Sequence, residues 1–506
     1  MTTTENATDS ILFVCQGRSL ELFYRLSENL GFKRKNFLIS DSFFYKKNGY
    51  DQLIDPAHKL LEWEEFSKSV DMSDAELRAY LSDFEREYSP EFSLRDVCLT
   101  DRRVSMGKLS VLREDNTPKF TERQKLEITY NLVSSVLRFF DQTKPQVVVT
   151  FICVTSFDYI TSLICRKRNI KFFNLRPSRI DNYIFLDSSI YEPAGFFEKY
   201  TDRQSSEEAH NIAEQYIDKT VKKGLAYEGV IQSTGKVQTR FKASKLKNLG
   251  TIVSDILYYF KNPEIKGDNH LHNPILGLYY LNFYNNIYDK LTRSKLKGKY
   301  ASLDSFKDEE FIFYPLHTEP EVSLLVYGKP LIDQLNIIKL ISLQLPIGKT
   351  LVIKEHPWMV GKRSIQFYKE VLKLGNVRIA EPSLKVNDII KFAESVLVVT
   401  GSTGYDAILG NKPLITLGRS PFNCLPENMV LYLDNLSDFY TKYINFLDIH
   451  KPDLELIEKF IANIVDHSVD VNLYSDLLGR NYVEKFEGKE DPYLKLAQYV
   501  ETKIFE

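Results

Sequence analysis

The sequence predicts an α/β protein of two Rossmann-like, doubly wound domains facing a cleft, with a helical segment between them. Apolar, strand-like runs alternate with amphipathic segments of helical periodicity near both ends of the chain. The runs in the C-terminal half are apolar throughout, as in parallel strands that helices cover on both faces. At 506 residues the chain is too long for one hydrophobic core. These three observations favour two domains of the doubly wound class.

The N-terminal domain is predicted to begin with the apolar run SILFVC, which ends at Gln16-Gly17-Arg18. A helix that stops at Gly31 and a short strand at 37–40 follow, which is the opening of a doubly wound domain. Residues 50–118 are polar and acidic and are expected to form helices and loops on the surface. A long helix then leads into the apolar run QVVVTFICV, a further helix and the strand KFFNL.

In the C-terminal half the alternation is clearest from Phe311 onward. The predicted strands are FIFYPL, TLVIKEH, NVRIA, SVLVVT and PLITLG, and the predicted helices lie around 331–343, 363–374, 386–394 and 403–409. We therefore divide the chain into an N-terminal domain (1–194), a helical connector (195–300), a C-terminal domain (301–450) and C-terminal helices (451–506).

The connector is basic and aromatic. Residues 236–300 contain twelve Lys or Arg against four Asp or Glu, interrupted by the clusters ILYYF and GLYYLNFYNNIY. One interpretation is a peripheral contact with the anionic inner leaflet of a membrane. The other is an ordinary helical connector whose aromatic side chains pack into the core.

Composition sets limits on function and location. The net charge of −2 provides no general attraction for nucleic acid. Five scattered cysteines without Cys-x-x-Cys spacing indicate reduced thiols and no zinc site. The polar N-terminus lacks the pattern of a signal peptide, and no apolar run is long enough to span a bilayer. A cytoplasmic protein is therefore expected.

Ligands of doubly wound domains bind at the carboxyl ends of the strands, so the residues after each strand are the candidates. After SVLVVT comes Gly401-Ser402-Thr403-Gly404, where glycines permit a tight turn and hydroxyls precede a helix. Backbone N–H groups at a helix start bind phosphate. The alternative is a Ser/Thr cap with glycines that serve only the turn.

Two further loops carry charged groups. Lys354, Glu355, His356 and Pro357 end the buried run TLVIKEH; the imidazole could bind a phosphate or ribose, and the ammonium could neutralise a phosphate. The alternative is a surface turn whose Lys and Glu pair in solvent.

After FIFYPL come His317, Glu319 and Glu321, where a carboxylate could take a proton from a hydroxyl or bind a sugar. The alternative is a solvated acidic loop. On successive strands of one sheet, the three loops together predict a nucleotide-sugar site.

The N-terminal half carries weaker candidates, chosen by their position after strands. Asp158 is a candidate catalytic acid, and Gly17, Arg18, Arg176 and Arg179 are candidate contacts for an anion or an acceptor. The arginines fit surface salt bridges equally well.

The segments YPLHTEPE, LVIKEHP and VTGSTGYDAILGNKPLITLG resemble the bacterial capsule polysaccharide biosynthesis proteins, a family that includes transferases of 3-deoxy-manno-octulosonic acid (Kdo). The His-Pro and Ser-Thr pairs are also similar to those of bacterial GT-B sialyltransferases, which hold a CMP donor with them. The resemblance covers about residues 311–420. It implies a GT-B fold with the donor on the C-terminal domain and the acceptor on the N-terminal one. His356 and Pro357 would then contact the donor, Ser402 and Thr403 its phosphate, and Glu319 or Glu321 would lie in the cleft.

The sequence thus predicts a glycosyltransferase that moves a sugar from a nucleotide-sugar, CMP-Kdo-like by resemblance, to a surface polysaccharide or its lipid-linked precursor. The nucleotide-sugar is a co-substrate and no cofactor is expected. The absence of an Asp-x-Asp triplet favours a metal-independent site. Two alternatives stay open at this point: a GT-B-like nucleotide-sugar epimerase or hydrolase, and a non-catalytic component of polysaccharide assembly.

Overall fold

The computed structural model describes residues 9–66, 68–107, 115, 117–202, 204–223, 249–263, 275, 284–319, 321–356, 359–478 and 491–506. These residues form two sheets with helices on both faces of each. The predicted fold class, two Rossmann-like doubly wound domains, is confirmed.

The N-terminal sheet has seven strands in the order β13-β6-β5-β4-β1-β2-β3. Strands β1 to β5 are parallel, whereas β6 is antiparallel to β5 and β13 is antiparallel to β6. The strands are β1 (Ser10–Cys15), β2 (Arg34–Ile39), β3 (Lys59–Leu61), β4 (Val147–Phe151), β5 (Lys171–Pro177), β6 (Tyr183–Asp187) and β13 (Ser468–Asp470).

The C-terminal sheet has six strands, all parallel, in the order β12-β11-β10-β7-β8-β9. The strands are β7 (Phe311–Pro315), β8 (Thr350–Lys354), β9 (Val377–Ala380), β10 (Ser395–Val398), β11 (Leu414–Thr416) and β12 (Val430–Tyr432). The five strands predicted here are confirmed. The sixth, β12, has only three residues at the sheet edge and gives too short a pattern to detect.

The helices before the second sheet are α1 (Ser19–Glu28), α2 (Ser42–Lys47), α3 (Tyr50–Leu53), α4 (Glu62–Phe66), α5 (Asp74–Tyr88), α6 (Arg95–Thr100), α7 (Arg102–Ser105), α8 (Glu122–Thr143), α9 (Ser156–Arg168), α10 (Glu207–Lys223), α11 (Leu249–Lys261) and α12 (Asn285–Leu296). Those within and after it are α13 (Gln334–Gln344), α14 (Ile365–Val371), α15 (Val386–Ile390), α16 (Thr403–Leu409), α17 (Phe439–Ile449), α18 (Leu454–Asp466) and α19 (Pro492–Phe505). The long helix α8 begins with a capping box, in which the Thr121 hydroxyl accepts the backbone N–H of Gln124 at 3.3 Å.

The C-terminal tail crosses between the two sheets. Helix α18 packs into the core of the C-terminal domain, after which β13 joins the N-terminal sheet and α19 packs against α1. The tail therefore contains a strand where we predicted helices only. A three-residue edge strand carries no readable alternation, which explains the difference.

The predicted connector is only partly described, and residues 224–248, 264–274 and 276–283 lie outside the described residues. Its first helix, α10, packs along α18 and buries Ala209, Ala213 and Tyr216 in the core of the C-terminal domain. The division at 194, 300 and 450 stays a prediction about independently folding units.

Candidate functional site

The strand order of the C-terminal sheet places a reversal between its two central strands. The chain runs outward from β7 through β8 to β9 on one side and from β10 through β11 to β12 on the other. The loops after β7 and β10 therefore diverge to opposite faces and leave a crevice at the carboxyl edge, where ligands of this fold class bind. His317 follows β7, and Thr400 to Gly404 follow β10.

His317 joins these two loops. Its side chain is buried, and its Nε2 accepts the backbone N–H of Thr400 at 3.4 Å. Burial lowers the pKa of His317 to about 3; the like charge of a protonated His356 and the positive charges of Arg179 and Arg363 act in the same direction. The ring is therefore neutral and can accept this bond. A Cβ at Gly401 would lie 3.1 Å from the His317 ring, which explains the glycine.

Arg363 connects the loop after β7 with the loop after β8. This fully buried guanidinium donates from Nε to Glu355 at 2.8 Å and from Nη2 to the carbonyl of His317 at 3.0 Å, and its Nη1 lies 2.9 Å from Glu319. Sequence reasoning missed Arg363. Glu355 could have indicated a residue such as Arg363, because a carboxylate that directly follows a buried strand requires a buried cation nearby.

The carboxylates of Glu355 and Glu319 are both engaged by protein groups. Glu355 also accepts the hydroxyl of Tyr368 at 2.7 Å and the backbone N–H of His356 at 2.8 Å. Glu319 also accepts from the side-chain amide of Gln334. These contacts make both carboxylates part of the framework that fixes the loops.

Lys354 lies at the end of β8 with only 5% of its surface exposed. Among the described residues, its ammonium makes no hydrogen bond and no ion pair. Burial lowers the pKa of Lys354 to about 8, against a small opposing effect of Glu355. A buried cation without an acceptor costs free energy, which an anionic ligand would recover.

The partly buried His356 follows Lys354 on the same rim, by which we mean the loops after β7, β8 and β10 at the carboxyl edge of the C-terminal sheet. Its Nδ1 lies 3.2 Å from the hydroxyl of Thr318, which connects the second loop to the first a further time. Burial lowers the pKa of His356 to about 4, and the neighbouring Lys354, Arg363 and Lys362 act in the same direction. Pro357 lies outside the described residues.

The glycine-rich loop leads into α16. Ser402 precedes this helix, yet its side chain makes no capping hydrogen bond, so the alternative of a simple Ser cap is wrong. Within the described chain, the hydroxyls of Ser402 and Thr403 make no hydrogen bond to protein, and both residues are partly exposed. Gly404 is explained by packing, because a Cβ there would lie 2.3 Å from the ring of Phe422.

Two arginines of the N-terminal half, Arg179 and Arg102, act electrostatically on Glu321 of the C-terminal half. Arg179 donates from Nη1 to the carbonyl of Thr400 at 3.3 Å. Glu321 is exposed to solvent, and among the described residues its carboxylate makes no hydrogen bond or ion pair. Its pKa is nevertheless raised, because surrounding protein displaces water from the carboxyl; the charges of Arg179 and Arg102 oppose this rise.

Arg102 was also missed from the sequence. It lies in the four-residue helix α7, next to Arg103, which is ion-paired with Glu62 at 2.6 Å and also with Asp101. Asp101 in turn accepts the backbone N–H of Ser156 at 3.0 Å. Residues 50–118 show no strand pattern that would mark the ends of strands, so Arg102 could not be placed near Glu321 from sequence.

The other candidates of the N-terminal half have structural contacts of their own. Asp158 belongs to a capping box of α9 and accepts from Thr155 Oγ1 at 2.7 Å; burial raises its pKa to about 7. Arg176 is buried in ion pairs with Asp187 and Glu192. Arg18 donates to the carbonyl of Leu478 at 2.8 Å, and Gly17 forms the turn after β1 with a φ of 51°.

A surface cavity of about 350 Å³ lies elsewhere, lined by residues such as Lys144 and Ile170 that precede β4 and β5. It is at the amino ends of the strands and is therefore not the candidate site. In the described part of the chain, no group of three His, Cys, Asp or Glu side chains is arranged to hold a metal ion. None of the described helices combines the length and apolar character needed to cross a membrane.

Residues 232–426 match the model of a protein family described as capsule polysaccharide biosynthesis protein. The resemblance predicted from the sequence is confirmed over this segment. It includes all three loops of the rim, whereas Arg102 and Arg179 lie outside it. No curated protein sequence matches the chain.

Solved structures with related architecture are distant. The Kdo 2,7-transferase of Thermosulfurimonas dismutans KpsC is 13% identical, with 82% of this chain and 98% of that chain covered and a TM-score of 0.31. The UDP-GlcNAc 2-epimerase of Methanocaldococcus jannaschii is 13% identical, with 88% and 94% covered and a TM-score of 0.27. The N-terminal domain of Candida albicans trehalose-6-phosphate phosphatase is 10% identical, with 95% and 99% covered and a TM-score of 0.32. Likenesses of this size say nothing about substrate or reaction.

Proposed function

We propose that this protein is a glycosyltransferase of bacterial surface polysaccharide synthesis that takes a sugar from a nucleotide-sugar donor. The observation that carries the proposal is Lys354, a buried ammonium that has no partner among the described residues and lies at the carboxyl edge of the C-terminal sheet. The match of residues 232–426 to a capsule polysaccharide biosynthesis family supports the assignment to surface polysaccharide synthesis. A CMP-linked acidic sugar of the Kdo type is the donor we propose on the sequence resemblance.

In this proposal the donor phosphate lies between Lys354, His356 and the hydroxyls of Ser402 and Thr403. Lys354 neutralises the negative charge that develops on the leaving phosphate, and the hydroxyls donate to its oxygens. The positive charge of Lys362, which also acts on His356, adds to this field. With this charge supplied by side chains, we propose that the site works without a divalent ion.

We propose Glu321 as the base. It takes the proton of the acceptor hydroxyl while the hydroxyl oxygen bonds to the anomeric carbon, and the bond from that carbon to the phosphate oxygen breaks. The raised pKa of Glu321 favours proton transfer to it. Glu319 is less suited, because Arg363 and Gln334 already engage its oxygens.

We propose that the acceptor is a glycan or its lipid-linked precursor, reached at the cytoplasmic face of the membrane. Helix α11 supports a peripheral contact, since Val253, Leu257 and Phe260 are 48%, 55% and 57% exposed at helical spacing. The basic excess of residues 236–300 would attract anionic lipid.

Sedimentation with phosphatidylglycerol vesicles tests this contact. We expect V253S/L257S/F260S to reduce binding; unchanged sedimentation would contradict the proposal.

The reaction is tested by incubating CMP-, UDP- and GDP-sugars with the protein and a capsular oligosaccharide, and measuring nucleotide release and product mass. We expect transfer with one donor class. E321Q should lose turnover while nucleotide affinity is retained, and the exposed Glu427 provides the control E427Q. Release that does not depend on the acceptor would instead favour a hydrolase or epimerase. Tight nucleotide binding without any product would favour a non-catalytic assembly component.

A further inference from the structure

Arg419 follows β11 at the carboxyl edge of the C-terminal sheet, and its backbone is firmly held there. The N–H of Gly418 donates to the carbonyl of Val399 at 2.9 Å, and the N–H of Arg419 donates to the carbonyl of Tyr327 at 2.9 Å. A Cβ at Gly418 would lie 2.7 Å from the side chain of Thr400, which explains the glycine. Arg419 is therefore fixed beside the glycine-rich loop that follows β10.

The side chain of Arg419 lies on two aromatic rings of the N-terminal half. Its guanidinium carbon is 5.1 Å from the ring centre of Tyr191 and 5.5 Å from that of Phe92, within the range of a cation–π contact. The two ring centres are 5.4 Å apart, and the hydroxyl of Tyr191 shares a hydrogen bond of 2.6 Å with that of Tyr159. Rings that are held in this way restrict the orientations of the arginine, which lowers the entropy lost when a ligand binds.

The guanidinium of Arg419 has no anionic partner in the described part of the chain. The residue is exposed, and there its side-chain nitrogens make no hydrogen bond and no ion pair. Asp96 belongs to the same group of residues but is paired with Lys329, whose Nζ lies 3.2 Å from it. Burial lowers the pKa of Lys329, and the charge of Arg419 acts in the same direction, which places the two cations near each other. The accessible arginine therefore carries a positive charge that Asp96 does not neutralise.

A planar guanidinium presents its N–H groups as a fork that matches two oxygens of a carboxylate or a phosphate. The donor phosphate does not account for this fork. Three strand spacings of about 4.8 Å, or roughly 14 Å, separate β11 from β8, which ends at Lys354. A donor of the Kdo type carries its carboxylate on the carbon that is bonded to the phosphate oxygen, so its two anionic groups lie together. Arg419 is thus available for an anion of a different molecule.

We propose that Arg419 binds an oxyanion of the acceptor and thereby selects acidic acceptors. This inference rests on the proposed function and adds the chemical class of its acceptor. The oxyanion is the carboxylate of an acidic sugar in the glycan or the phosphate of a lipid-linked precursor, since both offer two oxygens to the fork. A neutral acceptor of the same shape leaves the guanidinium without a partner and binds more weakly.

The test uses calorimetric titration of the full-length protein with soluble probes. Trigalacturonate supplies a sugar carboxylate, farnesyl phosphate supplies a lipid phosphate, and galactotriose is the neutral control. CMP, UDP, GDP and CMP-N-acetylneuraminate probe the donor site in the same proteins. Arg419→Gln removes the charge, and Arg419→Lys keeps the charge but not the fork. Arg138→Gln is the matched control, because Arg138 is also exposed and acts on a neighbouring tyrosine, Tyr80, without a hydrogen bond or ion pair in the described chain.

We expect the wild type to bind at least one of the two anionic probes, and Arg419→Gln to bind it about tenfold more weakly. The probe that loses affinity identifies the source of the oxyanion. Galactotriose should bind weakly to both proteins, Arg138→Gln should match the wild type, and donor probes should bind equally to all variants. If Arg419→Gln melts early, Arg419→Lys decides, because a single ammonium should bind the anion measurably more weakly than the fork.

The inference would be overturned if neither anionic probe bound the wild type, or if the Arg419 variants bound them as the wild type does. A parallel loss of affinity for a nucleotide or for CMP-N-acetylneuraminate would also overturn it, because Arg419 would then belong to the donor site. In each of these cases the proposed function stands as long as the wild type binds a nucleotide. Failure of the wild type to bind any nucleotide or nucleotide-sugar would overturn the proposed function itself.

Discussion

Replacement of His317 by Gln tests the geometry of the rim through its pH dependence. Glutamine can accept the backbone N–H of Thr400 through its side-chain oxygen, but it does not titrate. In the folded protein the pKa of His317 is about 3, against about 6.5 in an unfolded chain. Above pH 6.5 the ring is neutral in both states, so His317 adds no pH dependence there.

Below pH 6.5 the unfolded chain takes up a proton that the folded protein refuses. The free energy of unfolding therefore falls by about 1.4 kcal/mol per pH unit until the pH approaches the folded pKa. Between pH 6.5 and 5 this amounts to about 2 kcal/mol from His317 alone. For a domain of this size the loss corresponds to a decrease of about 4–8 °C in melting temperature.

The assay is thermal unfolding of the wild type and H317Q at a series of pH values between 5 and 8, followed by fluorescence. H317Q will melt lower at pH 7.5, because glutamine fills the site less well. The diagnostic quantity is the decrease in melting temperature as the pH falls. Between pH 6.5 and 5 this decrease should be smaller in H317Q than in the wild type by about 4–8 °C. If the melting temperatures of the two proteins fell equally with pH, His317 would not be a buried, neutral ring. The connection that it makes between the loops after β7 and β10 would then be contradicted as well.

Three further predictions concern stability and packing. Arg363→Met leaves buried carboxylates without a cation and should cost about 3–5 kcal/mol, measured by urea unfolding; a cost below 1 kcal/mol would contradict the network. Gly404→Ala forces a Cβ against Phe422 and should cost about 1–3 kcal/mol, whereas Gly375→Ala, with nothing within 4 Å, should be neutral in the same melting experiment. Lys354→Met removes an ammonium without a partner among the described residues, so the melting temperature without ligand should stay equal or rise while nucleotide affinity falls; a destabilised protein that binds nucleotide normally would refute its role.

The C-terminal domain could be predicted from sequence because its strands are continuous apolar runs. Five of its six strands and the four helices between them lie where the pattern places them, and the three polar loops therefore meet at one edge. What the sequence could not distinguish is Glu319 from Glu321, which are two residues apart. Their environments differ because Arg363, forty-two residues beyond Glu321, engages only Glu319.

The N-terminal contribution to the site depends on long-range placement and was harder to predict. Arg179 and Arg176 looked alike in sequence, yet one reaches Thr400 and the other is buried with Asp187 and Glu192. Asp158 fits the position of a catalytic acid, but the same position is that of a capping box residue. Local pattern predicts which side chains follow a strand, but it does not predict which partner they contact.

The central claim is that one crevice at the carboxyl edge of the C-terminal sheet binds a nucleotide. The most direct measurement is calorimetric titration of CMP, UDP and GDP into the wild type and into His356→Ala. Saturable binding of one nucleotide to the wild type, and at least about tenfold weaker binding to a folded His356→Ala, is the predicted result. Equal affinity in the two proteins, or no binding of any of the three, would contradict the account.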